Sequence, residues 1–196
     1  MRVASPCVTI HSSDPFATPD SARSAVRRLR GRLPTAVTLW TTQDTDGRPA
    51  GLTLSSTVVI DGDPGRVLGV LDEESTLWEA LGGRHKQNPA GTDANPDAGR
   101  FVLAPLRESD GQLADIFAGL MPSPGGPFVG RQWDQTRWGP VLAGVSGWAG
   151  CRLDGWRPMG WGLLVEATIE HVEITDQDPV PLLHYRGRYL AGPPTG

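Results

Sequence analysis

Two alternating, β-branched runs on either side of an Asp-Gly turn constrain this chain more than any other feature. Residues 35–42 read TAVTLWTT and residues 50–60 read AGLTLSSTVVI, with DTDGRP between them. Branched and aromatic side chains suit a pleated, half-buried surface, and Asp-Gly tolerates the positive φ of a tight hairpin. The pair is predicted to be an antiparallel hairpin with a row of small hydroxyls at the far end of its second strand. Further apolar runs follow at RVLGVLD (66–72), RFVLAPL (100–106), VLAGVSGWAGCRL (141–153), GLLVEATIEHVEI (162–174) and PLLHYRGRYL (181–190), each read as one strand. The 25 Gly and 18 Pro supply the turns that such an order needs. Helices are predicted from residue 18 to about residue 30, with Thr18 as N-cap and Pro19 following, over STLWEALGG (75–83) with Ser75 as N-cap, and over SDGQLADIFAGL (109–120). The fold class is therefore mainly β, a barrel with peripheral helices. Residues 1–17 read as an arm, 18–192 as one domain and 193–196 as a tail, with loops at 83–99 and 121–140.

Charge and composition exclude several classes. A formal net charge of −4 gives no electrostatic reason to expect nucleic acid. Cys7 and Cys151 are too few for a disulfide framework, and His11, His85, His171 and His184 show no metal-ligand spacing. No apolar run approaches the roughly 20 residues of a membrane-spanning helix, and the first residues lack the apolar stretch of a secretion signal. A soluble chain in a reducing cytoplasm is expected, without membrane or nucleic-acid partners.

Small hydroxyl side chains do little for a core but suit an anionic oxygen group held close to the backbone. The backbone around Gly51, Thr53 and Leu54 and the hydroxyls of Thr53, Ser55 and Ser56 could supply charge-assisted bonds to a phosphate. Ser75 and Thr76 open a helix, whose first turn also favours an anion. Thr and Ser are equally at home in strands and at caps. Arg23, Arg27 and Arg30 recur at helical spacing, with Arg28 and Arg32 alongside, which reads either as a solvated face or as a patch for a phosphate or partner subunit. Five of the seven tryptophans (Trp133, Trp138, Trp148, Trp156 and Trp161) lie within residues 133–161. They could pack a core or stack on a ligand ring, with Trp161 placed for a pocket and Trp133 and Trp138 for a lid.

In order, PTAVTLWTT, RPAGLTLSS, STLWEAL, GRFVLAPL, GPVLAGVSGWAGCRL and PLLHYRGRYL resemble the flavin reductase-like domains with the FMN-binding, Greek-key-like split-barrel fold, over roughly residues 22–190. The resemblance implies FMN as cofactor, NADH or NADPH as co-substrate, hydride transfer to flavin, a homodimer and a possible partner monooxygenase. It implies a phosphate end at Ser75 and Thr76 with Thr53, Ser55 and Ser56. It puts Phe101 beside the flavin or in the core next to it, and His184 or Arg186 near the nicotinamide nucleotide or at a dimer seam. The chain departs from the family pattern at three places. Ala104 replaces an Asn, Val58, Val59 and Ile60 replace a hydroxyl-rich segment, and Gly160 replaces a His. No acid, base or nucleophile is needed, because hydride transfer is the cofactors' own chemistry. The alternative is a split-barrel binding protein whose FMN site is weakened or lost; a deazaflavin or haem ligand is a third option.

Overall fold

A computed structural model describes residues 24–83, 99–176 and 179–193. The predicted hairpin is present as β2 (Thr38–Gln43) and β3 (Pro49–Leu54), paired antiparallel with Thr41 opposite Gly51. Its turn is built by Asp44, whose Oδ1 accepts the backbone N–H groups of Asp46 at 2.9 Å and Arg48 at 2.8 Å, while Gly47 takes φ +77°.

Around this hairpin runs a seven-stranded sheet in the order β3-β2-β6-β9-β10-β5-β4, where β4 is Val58–Ile60, β5 Arg66–Leu71, β6 Arg100–Pro105, β9 Gly147–Met159 and β10 Gly162–Ile174. The sheet curls far enough for its two ends to meet. Ser56, just past β3, donates its hydroxyl to the Val70 carbonyl at 3.1 Å and accepts the Val70 N–H at 3.3 Å. Register shifts beside Ala167 and His171 bend the long β9–β10 hairpin as the sheet curves. A second sheet has the order β1-β11-β12, with β1 Thr35–Ala36, β11 Leu182–Tyr185 and β12 Arg188–Ala191. A two-stranded ribbon pairs β7 (Trp133–Thr136) with β8 (Gly139–Leu142).

The core has two halves, one on each face of β2 and β6. Inside the curl, Trp40 stacks on Phe101 with ring centroids 4.6 Å apart, among Leu54, Val67, Leu71, Trp78 and Val165. On the outer face Leu39, Val102 and Ala104 pack with Leu113 and Phe117 of helix α3 (Gly111–Phe117). Burial on both faces explains why FVLA in β6 is continuously apolar rather than alternating. Helix α1 (Ala25–Arg30) is capped by Ser24, whose Oγ accepts the Arg27 N–H at 3.2 Å. Helix α2 (Thr76–Ala80) is capped by Ser75 in the same way through Trp78.

Several predicted strands are shorter than expected. PLLHYRGRYL is a hairpin: Arg186 at φ +51° and Gly187 at φ +77° form a two-residue turn between β11 and β12. VLAGVSGWAGCRL divides into β8 and β9 at residues 143–146, where Gly144 takes φ +77°. GLTLSSTVVI breaks after Leu54 and resumes at Val58, the break falling where Ser56 clasps β5. The stretch 121–140, predicted to be irregular, holds β7 and the start of β8. The expected N-cap Thr18, the Pro19 after it, the arm 1–17 and nearly all of the loop 83–99 lie outside the described residues.

Candidate functional site

A cavity of about 490 Å³ opens where three elements from distant parts of the chain converge on β3. The floor is strand: Thr53 of β3, Ser55 just after it, and Thr35 of β1. One wall is the end of α1, with Arg27, Arg30 and Gly31. A second is the end of α3, with Asp115 and Ala118, and the third is the β11–β12 hairpin, with His184, Arg188 and Tyr189. Strand alternation selects the floor. Leu52 and Leu54 turn into the inner core, leaving Gly51, Thr53 and Ser55 toward α3 and the cavity. Gly51 must be small there, because a Cβ would lie 2.7 Å from Cε1 of Phe117.

The walls are held in place by backbone bonds. The Arg186 N–H donates to the Gly31 carbonyl at 2.8 Å, tying the hairpin turn to the end of α1. Val37 N–H to Leu182 O (3.0 Å), Leu106 N–H to Val37 O (2.9 Å) and Leu182 N–H to Leu106 O (2.8 Å) close a triangle that joins the small sheet to the barrel. Asp110, fully buried, accepts from Arg107 Nε at 2.7 Å and from the Arg107 backbone N–H at 3.1 Å, anchoring the start of α3.

Electrostatically the cavity is positive. Arg27, Arg30 and Arg188 contribute three guanidiniums against the Asp115 carboxylate. Burial and the charge of Arg30 push the His184 imidazole below its ordinary value, so it is neutral at pH 7. Burial and then the Asp115 carboxylate raise the Tyr189 phenol to about 12, so it keeps its proton. The His184 and Tyr189 rings meet edge to face with centroids 6.0 Å apart, giving one wall an aromatic lining.

Of the residues singled out in the sequence, Thr53, Ser55 and His184 line this cavity. The others lie elsewhere. Leu54 and Phe101 are in the inner core, Phe101 at 0% exposure. Ser56 closes the barrel, Ser75 caps α2, Thr76 is exposed at the start of that helix, and Arg186 sits in the hairpin turn with its guanidinium over the Tyr185 ring. Trp161 is 82% exposed at the tip of the β9–β10 hairpin, where the neighbouring Gly160 takes φ +61°. Trp133 packs edge to face on Phe117, and Trp138 stacks on His171, so both have packing contacts where a lid was predicted. Three of the five candidate hydroxyls donate to backbone carbonyls: Thr53 to Ala114 O at 2.9 Å, Ser56 to Val70 O and Ser75 to Asp72 O at 2.6 Å. Thr53 therefore presents lone pairs to a ligand, leaving donation to Ser55 and the arginines.

Sequence reasoning missed Thr35, Asp115, Arg188 and Tyr189. The Arg-Gly pair in HYRGRY was the available signal for the last two. Read as a turn, it folds Tyr189 back opposite His184, the pairing the structure has. Among the described residues no group of three or more His, Cys, Asp or Glu could hold a metal ion, and no helix is long and apolar enough to cross a membrane.

The mainly β split barrel is the fold of flavin reductases of known structure. The chain belongs to the flavin reductase-like domain family, whose model matches residues 30–193. It is 27% identical over 130 residues to a protein of Rhizobium meliloti (strain 1021) described as "Probable flavin reductase", a match spanning 66% of this chain and 36% of that longer protein. Its fold is similar to nitrilotriacetate monooxygenase component B from Mycobacterium thermoresistibile, with TM-score 0.69 and 26% identity over 85% of this chain and 84% of that one. The NADH:FAD oxidoreductase SgcE6 of Streptomyces globisporus C-1027, solved with NAD and FAD fragments, superposes with TM-score 0.67 over 84% of this chain and 89% of that one. At 20% identity that likeness concerns the fold alone.

The donor set suits a flavin nucleotide. Three guanidiniums and Ser55 match an anionic phosphate, Thr53 offers an acceptor to a ring N–H, and the aromatic wall matches a planar ring. The volume lies within the usual range of small-molecule sites, about 300–1,000 Å³.

Proposed function

We propose that this chain is an NAD(P)H:flavin oxidoreductase that binds FMN, or another flavin nucleotide, in the cavity between α1, α3 and the closing hairpin. The observation that carries the reading is the composition of that cavity, where positive charge, a neutral imidazole, a protonated phenol and small hydroxyls meet within one family of flavin reductases. When bound, the flavin supplies the hydride chemistry, taking two electrons and a proton equivalent from a reduced nicotinamide. The chain's own residues bind and orient. Arg27, Arg30 and Arg188 neutralise phosphate, Ser55 donates to it, and Thr53 accepts from a ring N–H. His184 and Tyr189 shape the face on which the nicotinamide approaches, and neither needs to change protonation. The protein's contribution to rate is then proximity and alignment of the two rings.

The finer parts of the reading follow from kinship. A homodimer would cover the edge strand β4, where Val58, Val59 and Ile60 are all exposed. Reduced flavin would pass to a partner monooxygenase in a cytoplasmic setting. Two observations favour the alternative, a non-catalytic flavin-binding or ligand-binding barrel: Ala104 is buried in the outer core, and the hydroxyls of Ser56 and Ser75 donate to backbone carbonyls.

The test is an absorbance spectrum of the purified protein, titration with FMN, and assay of NADH and NADPH oxidation. Micromolar flavin uptake with flavin-dependent oxidation is the expected result. Uptake without oxidation would establish a flavin-binding protein that is no reductase, and no uptake would refute the oxidoreductase reading and leave the barrel whose FMN site is lost. Ser55→Ala is expected to weaken FMN at least about tenfold, the loss of one charge-assisted bond.

A further inference from the structure

The phosphate donors suggested by the sequence were chiefly backbone groups and hydroxyls, with the basic face of the first helix as one alternative, yet several of those hydroxyls donate to carbonyls instead. The positive charge around the cavity comes from elsewhere. Arg27 and Arg30 project from the last turn of α1, and Arg188 from the first residue of β12. The hydrogen bond from Arg186 to Gly31 joins the residue that follows Arg30 to the turn that precedes Arg188, so one backbone contact brings both residues to the same cavity. Basic residues at a helix C-terminus favour the helix dipole, which would account for Arg27 and Arg30 alone. It does not account for Arg188, which belongs to a strand. Among the described residues neither Arg30 nor Arg188 has an ion-pair partner, although other arginines of this chain do, such as Arg66 with Asp154 at 2.6 Å. Both side chains belong to exposed residues whose removal opens no core.

We propose that Arg30 and Arg188, with Arg27 beside them, read the phosphate of the bound nucleotide and thereby set the preference for phosphorylated over unphosphorylated ligand. The inference rests on the flavin-nucleotide reading above and adds specificity-determining residues to it. The chemistry recognised is a phosphate oxygen dianion or pyrophosphate, which either the flavin or the nicotinamide nucleotide could supply. Guanidiniums grip such groups in two-point fashion and lysines only as point charges.

The experiment measures dissociation constants of FMN and riboflavin by flavin fluorescence quenching, and of NAD⁺ and nicotinamide riboside by calorimetry. It compares wild type with Arg30→Ala/Arg188→Ala, with Arg30→Lys, and with the control Arg131→Ala, an exposed arginine that does not line the cavity. Wild type should favour FMN over riboflavin by about tenfold or more, and the double variant should bring that ratio near one with riboflavin affinity unchanged. Arg30→Lys should keep part of the preference and Arg131→Ala all of it. Collapse of the NAD⁺ to nicotinamide riboside ratio instead would uphold the proposal and assign the phosphate to the nicotinamide nucleotide. Both ratios unmoved in the double variant would overturn the proposal while leaving the flavin reading intact. Wild type that takes neither flavin nor nicotinamide nucleotide would overturn both.

Discussion

Replacing Gly69 with Ala tests the packing at the centre of the barrel. A Cβ at Gly69 would lie 2.5 Å from Cη2 and 2.8 Å from Cζ2 of Trp40, roughly an ångström inside an ordinary carbon–carbon contact. The indole cannot retreat, because its other face stacks on Phe101 at 4.6 Å and 15°, and both rings are fully buried. Overpacking of this kind costs about 1–3 kcal/mol. The reduced freedom of the unfolded chain returns about 0.4–1 kcal/mol. The net is a loss of about 1–2 kcal/mol, or a fall in Tm of about 2–8 °C for a domain of this size. Gly111→Ala is the matched control: Gly111 opens α3 at φ −54°, ψ −44°, and an added Cβ meets nothing within 4 Å. It should raise Tm by about 1–4 °C. Thermal unfolding followed by circular dichroism decides between them. A Gly69→Ala protein as stable as wild type would show that the Trp40 ring is not pinned, and the account of the inner core would fail.

Three further outcomes are expected. Asp110→Ala removes a fully buried carboxylate from Arg107 and should cost about 3 kcal/mol in urea denaturation, near the lower bound for a broken buried pair because Arg107 is partly exposed. For His184 the sign runs from burial and Arg30: its folded pKa lies below the unfolded value, so the unfolded chain binds more protons and stability falls as pH drops below about 6.5. Substituting Gln should therefore shrink the Tm loss between about pH 7.5 and about pH 5.5, measured by scanning calorimetry; an unchanged loss would contradict the assignment. Burial, and then the Glu170 charge, push the Cys151 thiol up to about 12, so iodoacetamide at about pH 8 should leave Cys151 unmodified in the native protein and label it only after unfolding, as read by peptide mass mapping.

Local chemistry made much of this legible. The β2–β3 hairpin could be read because its turn carries its own instructions in Asp44 and Gly47, and the β6 strand because burial on both faces writes an unbroken apolar run. The candidate site was legible only in part. A run of hydroxyls in sequence is not a run in space: alternation sends Thr53 and Ser55 to the cavity and leaves Ser56 to close the barrel. Nor does sequence show whether a hydroxyl keeps its proton for a ligand, since the Ala114 and Val70 carbonyls that take those protons arrive from other elements. Arg27 and Arg30 were visible as a basic face, but no local pattern encodes the Arg186–Gly31 hydrogen bond that ties the end of that helix to the closing hairpin. Three tryptophans have glycine partners that the sequence did not point to. Gly69 makes room for Trp40, Gly83 for Trp78 and Gly150 for Trp138.

The β11–β12 hairpin separates what shapes the cavity from what builds the barrel. Thr53 and Ser55 belong to or adjoin the seven-stranded sheet, whereas His184, Arg188 and Tyr189 stand on β11 and β12 of the small sheet. On the proposed reading, part of the ligand's contact surface rests on a short hairpin outside the seven-stranded sheet, its last strand only four residues long and mostly exposed. Selection acting on that short hairpin can retune what the protein binds without renegotiating how the barrel folds.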